Sequence, residues 1–237
     1  NSNTIKNTTI TCGSLVKTLF RGIDISYASY AQLLNNTIDT ICNNSIEISG
    51  SDHTLVSGNN ISKGSTALIY FNQGCNYTTI EDNYFHDKTL PSTDENTIIH
   101  WRSNVGSIFR RNLIVETRPY AFLNAIVINH GGTDTIVPAN GTIENNTLIG
   151  GTTGSGIGFW IGTNFTIRNN IIVGFNISIE SLSNNQPLNN EIHIDYNDSY
   201  NPVTTAYYDS DGFFDIGTHN LGIDPLFAET TNYTLSA

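Results

Sequence analysis

The feature that most constrains the fold of this chain is a short pattern that recurs along most of its length. Each copy contains a β-rich triplet, two polar residues, an asparagine and a second short apolar stretch. Six asparagines align in this way, separated by 24, 29, 34, 24 and 27 residues: Asn59, Asn83, Asn112, Asn146, Asn170 and Asn197. A repeat of this length cannot bury its apolar side alone, so the pattern predicts a solenoid whose stacked copies share one core.

Two apolar columns accompany the asparagines. The residue three positions before each asparagine is apolar in all copies: Val56, Ile80, Phe109, Ile143, Ile167 and Ile194. The residue two positions after it is apolar in the first five copies: Ile61, Phe85, Ile114, Leu148 and Ile172. Because side chains alternate along a strand, these columns predict short strands on both sides of a turn. Asparagine is favoured in turns and its amide can bond to the copies above and below, so we expect one stacked asparagine ladder.

A further short apolar strand precedes each unit, and no helical pattern lies between the units. On these residues the sequence resembles the right-handed parallel β-helix repeat proteins of the pectate-lyase-like superfamily, over roughly residues 35–200. The resemblance implies an all-β fold in a single domain, residues 1–237, with residues 201–237 as the closing segment. It identifies an architecture and no activity. Helix-like spacing between Ser14 and Gly22 predicts either a short N-terminal capping helix or an early rung.

The composition limits the classes of partner that this chain is expected to bind. Charged residues make up 13% of it and the formal net charge is −11, so few cations can neutralise phosphates and nucleic-acid binding is not expected. No apolar run approaches the roughly 20 residues of a membrane helix. Cys12, Cys42 and Cys75 form no Cys-x-x-Cys pair, so no metal site is expected; one disulfide with a free thiol, or three buried thiols, remain open. The lack of any Met predicts a processed product or a fragment.

Eleven Asn-x-Ser/Thr sequons, against roughly 7 expected by chance, favour an extracellular or cell-surface location with covalent N-glycans as partners. The sites expected to carry glycans are Asn7, Asn76, Asn140, Asn164, Asn176, Asn197 and Asn232. Asn7, Asn76, Asn140 and Asn164 come just before a repeated strand. Asn76, Asn140 and Asn164 precede the apolar residues at 80, 143 and 167 by 4, 3 and 3 positions, which predicts that these three form a stripe of glycans near one corner of the coil. Asn60 and Asn145 lie beside the asparagine turn and are expected to be less accessible.

A candidate binding face lies where the repeat is longest, around Lys88–Glu95 and Thr133–Asn140, because insertions in solenoids form loops on one side. The neighbouring strands carry these polar and aromatic residues: His100, Trp101, Arg102, Asn129, His130 and Trp160. Aromatic rings stack on the apolar face of a sugar and polar groups bind its hydroxyls. Trp101, Trp160 and Asn129 are therefore the predicted carbohydrate-binding residues.

Resemblance to polysaccharide lyases of this fold implies an alternative use of the same region. In such sites a base removes the proton beside a uronate carboxylate, while Arg or Ca²⁺ neutralises that carboxylate. His100, Arg102 and His130 are the catalytic candidates, because histidine titrates near neutral pH unaided. No recognisable lyase motif accompanies them, and an acidic protein repels a polyanion overall.

The specific signals are the repeat and the sequons, whereas the catalytic candidates are scattered. Glu81 and Glu144 alternate with Arg110 and Arg168 in the repeat, which predicts a solvated charge ladder and not a glycosidase carboxylate pair. We therefore favour a secreted, N-glycosylated β-helix protein with a structural role over a lyase. That role includes contacts with polysaccharide and self-assembly through unpaired strand edges at the coil ends. No cofactor is expected for it, and Ca²⁺ enters only with the lyase alternative.

Overall fold

The computed structural model describes residues 3–11, 21–39, 43–88, 97–102, 104–118, 123–129, 140–160, 164–181, 191–210 and 212–227. These residues form β-strands joined by turns, and none of them is helical. The described part of the chain therefore offers no helix of the length and hydropathy that crossing a membrane requires. The stretch between Ser14 and Gly22, predicted as a capping helix or an early rung, lies almost wholly outside the described residues.

The strands belong to three parallel sheets, named A, B and C. Sheet A contains β1 (Thr4–Lys6), β4 (Gln32–Leu34), β7 (Leu55–Ser57), β10 (Thr79–Glu81), β13 (Ser107–Arg110), β16 (Gly141–Glu144), β19 (Phe165–Arg168), β22 (Ile192–Asp195) and β25 (Phe214–Ile216). Sheet B contains β2 (Thr9–Thr11), β5 (Thr37–Asp39), β8 (Asn60–Ser62), β11 (Tyr84–His86), β14 (Leu113–Val115), β17 (Thr147–Ile149), β20 (Ile171–Val173) and β23 (Asp198–Tyr200). Sheet C contains β3 (Ile23–Ser26), β6 (Ile46–Ser49), β9 (Ile69–Phe71), β12 (Thr97–Arg102), β15 (Asn124–Asn129), β18 (Ser155–Phe159), β21 (Ile177–Ser181) and β24 (Thr205–Tyr208).

Each strand pairs with the strand three places before it and the strand three places after it, so three consecutive strands make one coil. This is the predicted parallel β-helix. The register also follows the sequence repeat, since Ile80 pairs with Val56 on one side and with Phe109 on the other. Strands extend beyond the predicted clear rungs at both ends, from Thr4–Lys6 to Phe214–Ile216.

The core of the coil is formed by the two predicted apolar columns together with the inward residues of sheet C. Ile80 and Ile143 of the first column and Phe85 and Leu148 of the second are at most 1% exposed. Burying a side chain of this size stabilises the fold by about 1.5–3 kcal/mol. Outward positions alternate with these along the strands, so side chains at the outward positions do not contribute to the core.

The asparagine ladder forms as predicted and is longer than the repeat indicated. The Nδ2 of each ladder asparagine donates to the Oδ1 of the next, at 2.9–3.2 Å, from Asn36 to Asn220. Each Oδ1 also accepts the preceding ladder residue's backbone N–H. Asn36 and Asn220 extend the ladder beyond the six asparagines of the repeat. Leu33 and Ile38 continue both apolar columns beside Asn36, whereas Gly217 and Gly222 stand at these positions beside Asn220. At the N-terminal end Thr8 takes the equivalent position and donates its N–H to Asn36 Oδ1.

The residue before each ladder asparagine from Asn36 to Asn197 has a positive φ, which allows the chain to turn from sheet A to sheet B. Examples are Asp82 at 57°, Arg111 at 53° and Asn145 at 56°. The predicted charge ladder is also present on the outside of sheet A. Arg110 bonds Glu81 at 2.7 Å and Arg168 bonds Glu144 at 2.8 Å.

Cys75 is the one cysteine within the described residues, and it is a buried free thiol. Burial raises the pKa of the Cys75 thiol to about 11. Its Sγ lies 3.3 Å from the carbonyl oxygen of Ile48. Cys12 and Cys42 lie outside the described residues, and the alternatives for their pairing stay open.

Candidate functional site

The outer face of sheet C has the longest strands of the coil, six residues each in β12 and β15. Side chains alternate along β12, where Ile99 and Trp101 point into the core while His100 and Arg102 lie on the outer face. We define the sheet C face by Tyr70, His100, Arg102, Asn129 and Trp160. It contains four of the six residues that the sequence analysis proposed for sugar binding or catalysis.

Tyr70, His100 and Arg102 form one cluster at the centre of this face. Tyr70 and His100 pair across β9 and β12, and their ring centroids are 4.9 Å apart at an interplanar angle of 53°. The Arg102 guanidinium carbon lies 4.9 Å from the centroid of the Tyr70 ring, which is a cation–π geometry. Arg102 Nε donates toward His100 Nε2 at 3.4 Å. His100 and Tyr70 thus hold the guanidinium on the outer face, and His100 itself is only 3% exposed.

Asn129 and Trp160 continue the outward position of Arg102 onto the next two coils. Asn129 pairs with Arg102 in the register of β12 and β15. Trp160 follows Phe159, which pairs with Ile128, and its backbone N–H donates to the Ile128 carbonyl at 2.9 Å. The Trp160 side chain is 49% exposed, whereas Asn129 is half-buried. A cation, an amide and an open indole therefore lie on three successive coils, about 4.8 Å apart.

Trp101 contradicts the prediction that it binds carbohydrate. It is 1% exposed and packs edge-on against Phe71 and Phe165, with ring centroids 5.8 Å and 5.3 Å away. The alternation of β12 puts it in the core because its neighbours His100 and Arg102 point out. Its Nε1 is buried without a hydrogen-bond partner in the described structure, so it serves packing and cannot stack on a sugar outside the coil.

Carboxylates flank the sheet C face on both sides, which the sequence analysis did not identify. On the N-terminal side Glu47 pairs with Tyr70 in register and bonds Arg21 at 2.5 Å, and Arg21 also reaches Asp24. On the C-terminal side Glu180 lies in the outward column two coils beyond Val127, and burial raises the pKa of its carboxyl. Glu47 and Glu180 are aligned with His100 only by the register between the strands of sheet C, so the sequence alone could not predict that they flank this face.

His130, one of the three catalytic candidates, lies outside the described residues, as does most of both predicted insertions. Asp209, an acidic residue within the closing segment, accepts the backbone N–H groups of Gly212 and Phe214 and so holds a turn. The described residues contain no group of three or more His, Cys, Asp or Glu placed to hold a metal ion.

Several predicted glycosylation sites lie where expected. Gly141 pairs with Phe165, so the preceding residues, Asn140 and Asn164, align on neighbouring coils at the corner between sheets C and A. Asn164 is exposed and Asn140 is half-buried. Asn76 is at the same corner, where its Oδ1 accepts the Val105 N–H at 3.0 Å. Asn7 has a positive φ between β1 and β2, so it lies at a different corner from this stripe.

Asn197 contradicts its assignment as a glycan carrier. It is 1% exposed, and its Nδ2 donates to Ile167 O, Asp195 O and Asn220 Oδ1 within the ladder. Glycans attach to the side-chain amide nitrogen of an accessible asparagine, which this site does not offer in the folded coil. The expectation for Asn60 and Asn145 is also wrong, since both are exposed. Asn176 is half-buried and accepts the Thr204 hydroxyl, and Asn232 lies outside the described residues.

Comparisons with known proteins agree with this architecture. The family model described as periplasmic copper-binding protein (NosD) matches residues 1–115, slightly less than half of the chain. The crystal structure of pectate lyase Pel9A superposes with a TM-score of 0.63 at 12% sequence identity, and the match covers 90% of this chain but only 60% of that lyase. No curated protein matches the chain. The chain is thus a parallel β-helix protein of pectate-lyase-like architecture, and at this identity the likeness shows the fold alone.

Proposed function

We propose that this protein works outside the cytoplasm and holds a polysaccharide chain on the outer face of sheet C. The observation that carries the proposal is the half-exposed indole of Trp160, in line with Asn129 and Arg102 on successive coils. An open aromatic face beside an amide and a fixed guanidinium is suited to stacking on a sugar ring and bonding its hydroxyls. The sequons and the periplasmic description of the matched family support a location outside the cytoplasm.

The cluster around Arg102 favours binding over catalysis. A general base needs an accessible lone pair, whereas His100 is buried and its Nε2 faces the Arg102 N–H. The guanidinium, held by the Tyr70 ring, is placed to bond hydroxyl or acidic groups of a ligand. The family description names copper, but the described residues do not supply a copper-binding cluster, and we assign copper no role.

Calorimetric titration with neutral and uronate oligosaccharides tests this proposal. Trp160→Ala is expected to weaken binding about tenfold, because the sugar loses its stacking surface. Tyr196→Ala is the matched control, since Tyr196 is 55% exposed on the far corner between sheets A and B. Equal affinities for wild type and Trp160→Ala would refute the assigned face. Formation of an unsaturated product, followed by ultraviolet absorbance, would instead establish the lyase alternative.

A second candidate, a glycoprotein with a structural role, is supported by the corner that carries Asn140 and Asn164. Two sequons aligned on neighbouring coils would place glycans in a stripe along the coil. Such a stripe would shield a surface that has few charges to keep it soluble. Glycans there would flank the sheet C face, whose strands lead directly into this corner. Occupied Asn164 together with undiminished sugar binding would show that the two roles are compatible.

A further inference from the structure

One polar or aromatic residue per coil occupies the same outward position at the end of the sheet C strands. We define the sheet C column by these residues on six successive coils: Ser26, Ser49, Asn72, Arg102, Asn129 and Trp160. Each follows a buried inward residue, as Ser49 follows Ile48 and Asn72 follows Phe71, so each lies on the outer face. Successive members are about 4.8 Å apart, which makes the column a continuous line along the coil axis.

Four members of the sheet C column carry polar atoms that no protein group pairs within the described residues. Asn72 Oδ1 accepts the Gln73 N–H at 2.9 Å, whereas the Asn72 Nδ2 has no acceptor there. The Ser49 hydroxyl, the Asn129 amide and the Trp160 Nε1 likewise have no protein partner in that part of the chain. Because none of these four side chains is fully buried, their donors and acceptors are available to the hydroxyl groups of a ligand.

An exposed aromatic ring lies at each end of the sheet C column. Trp160 is its last member, and Tyr27 directly follows its first member, Ser26. Tyr27 is 88% exposed, and its backbone N–H donates to the Ser49 carbonyl at 3.0 Å. The Tyr27 ring lies against Gly50, where a Cβ would come within 2.9 Å of the Tyr27 Cδ1 and Cε1. A side chain at position 50 would displace this ring, so the glycine keeps it beside the column.

We propose that the sheet C column binds one extended, uncharged polysaccharide chain along the coil axis, one sugar per coil, with Trp160 and Tyr27 as stacking surfaces at its two ends. The inference rests on the proposed function and extends it from a local site to six coils. Five steps of 4.8 Å give the column a length of about 24 Å. An extended chain of equatorially linked pyranose residues advances by nearly one such step per residue. An extended polypeptide advances about 3.4 Å per residue and would not keep this register.

The charges on this face favour an uncharged chain over a polyuronate. Arg102 is the single cation of the sheet C column. Beside the first two coils Asp24 and Glu47 occupy the neighbouring outward position, and both pair with Arg21, so that guanidinium is already engaged by protein carboxylates. A polyuronate would bring one carboxylate per sugar and meet one guanidinium, with two protein carboxylates nearby to repel it. A neutral sugar needs only the donors and acceptors that the column supplies.

Calorimetric titration of the full 237-residue chain with oligosaccharides of two to six residues tests the length and the charge of the ligand. The neutral probes are β-1,4-linked gluco-, manno- and xylo-oligosaccharides, and the charged probes are oligogalacturonates of the same lengths. The affinity of wild type for a neutral series is expected to rise with each residue up to six. The neutral hexasaccharide is expected to bind about tenfold more tightly than the hexagalacturonate, because the latter meets unfavourable charge.

Two variants at the far end from Trp160 test the length of the site directly. Tyr27→Ala should weaken the neutral hexasaccharide about tenfold, and Asn72→Ala about fivefold. Both should leave the trisaccharide unchanged, because only the longer chain reaches from Trp160 to these residues. Tyr30→Ala is the matched control: Tyr30 is 59% exposed on the sheet A side of the same turn, stacks on His53, and should not affect binding. Unchanged melting temperatures show that the variants fold.

The outcomes separate this inference from the proposed function. Affinity that stops rising at three residues, while Trp160→Ala still weakens binding, would overturn the six-coil site and leave the proposed function standing. A hexasaccharide that binds Tyr27→Ala and Asn72→Ala as tightly as wild type would do the same. Oligogalacturonates that bind as tightly as the neutral series would overturn the uncharged class of ligand. Absence of binding by every oligosaccharide would overturn the inference and the proposed function together.

Discussion

Replacing Asn112 by alanine removes one member from the middle of the asparagine ladder. The Asn112 side chain accepts the N–H and Nδ2 of Asn83 at 3.0 Å each and donates to Ile80 O, Arg110 O and Asn146 Oδ1 at 2.9–3.1 Å. Asn112 is 2% exposed, so alanine leaves its partners buried without water to replace the amide.

The cost follows from the number of partners left unpaired. Asn83 loses the acceptor for its backbone N–H, and the Ile80 carbonyl loses a donor. Each unsatisfied buried group costs about 1–3 kcal/mol, so Asn112→Ala should lower the free energy of unfolding by about 3–5 kcal/mol. Asn220→Ala, at the half-buried end of the same ladder, should cost about 1 kcal/mol because water can reach its partners.

Urea denaturation followed by circular dichroism measures the difference, with the m-value checked for both variants. Equal m-values show that the whole coil still unfolds as one unit, which a stacked array does not guarantee. A loss below about 1 kcal/mol for Asn112→Ala, or a loss equal to that of Asn220→Ala, would refute the view that the ladder's buried amides hold adjacent coils together.

Three further outcomes are expected. Burial raises the pKa of the Cys75 thiol to about 11, so Cys75 should resist a disulfide reagent at pH 8 in the folded protein and react after unfolding. Fast reaction of Cys75 in the native state would contradict its buried position. Burial raises the pKa of Glu180, so its charge opposes folding. The contribution of Glu180 to stability should be greatest below the ordinary glutamate pKa and be lost as pH rises through the raised folded value, and the difference between wild type and Glu180→Gln in thermal melts should follow that course. Peptide mapping by mass spectrometry of protein from a glycosylating host should find Asn197 bare, whereas glycan on Asn197 would mean that modification precedes folding.

The sequence predicted the coil and its core well, because the period of the repeat encodes the inward columns directly. Ile80, Phe109 and Ile143 pair in the predicted register, and their asparagines stack in one line. Asn36 has apolar residues in both columns, Leu33 and Ile38, so the repeat could have been extended to it from the sequence. Asn220 could not be found in this way, because Gly217 and Gly222 replace the apolar residues there while the hydrogen-bonding position is kept.

The candidate site was predicted only in part, because the alternation of side chains along each strand decides which residues point outward. Trp101 and Trp160 are both aromatic residues at the ends of sheet C strands, yet one is 1% exposed and the other 49%. Trp101 lies two residues after the buried Ile99 and so points inward, whereas Trp160 lies three residues after the buried Ile157 and so points outward. Both orientations follow from the sequence once the inward residues are known. Glu47 and Glu180 required the register between coils, which no single repeat contains.

The three outer faces of the coil share one core but differ in chemistry, and that difference assigns their roles. Sheet A carries alternating Arg and Glu residues that pair with each other, so its outer charges are already neutralised by neighbours. Sheet B carries polar residues on its first four strands, Asp39 among them, and apolar residues at most outward positions of β14, β17 and β20. Sheet C combines an open indole with a fixed guanidinium, a pairing that neither core packing nor solubility requires. Because the inward columns and the asparagine ladder determine the coil, each outer face could acquire its chemistry without disturbing the others. The face whose groups are least explained by folding is the one to test first for a ligand.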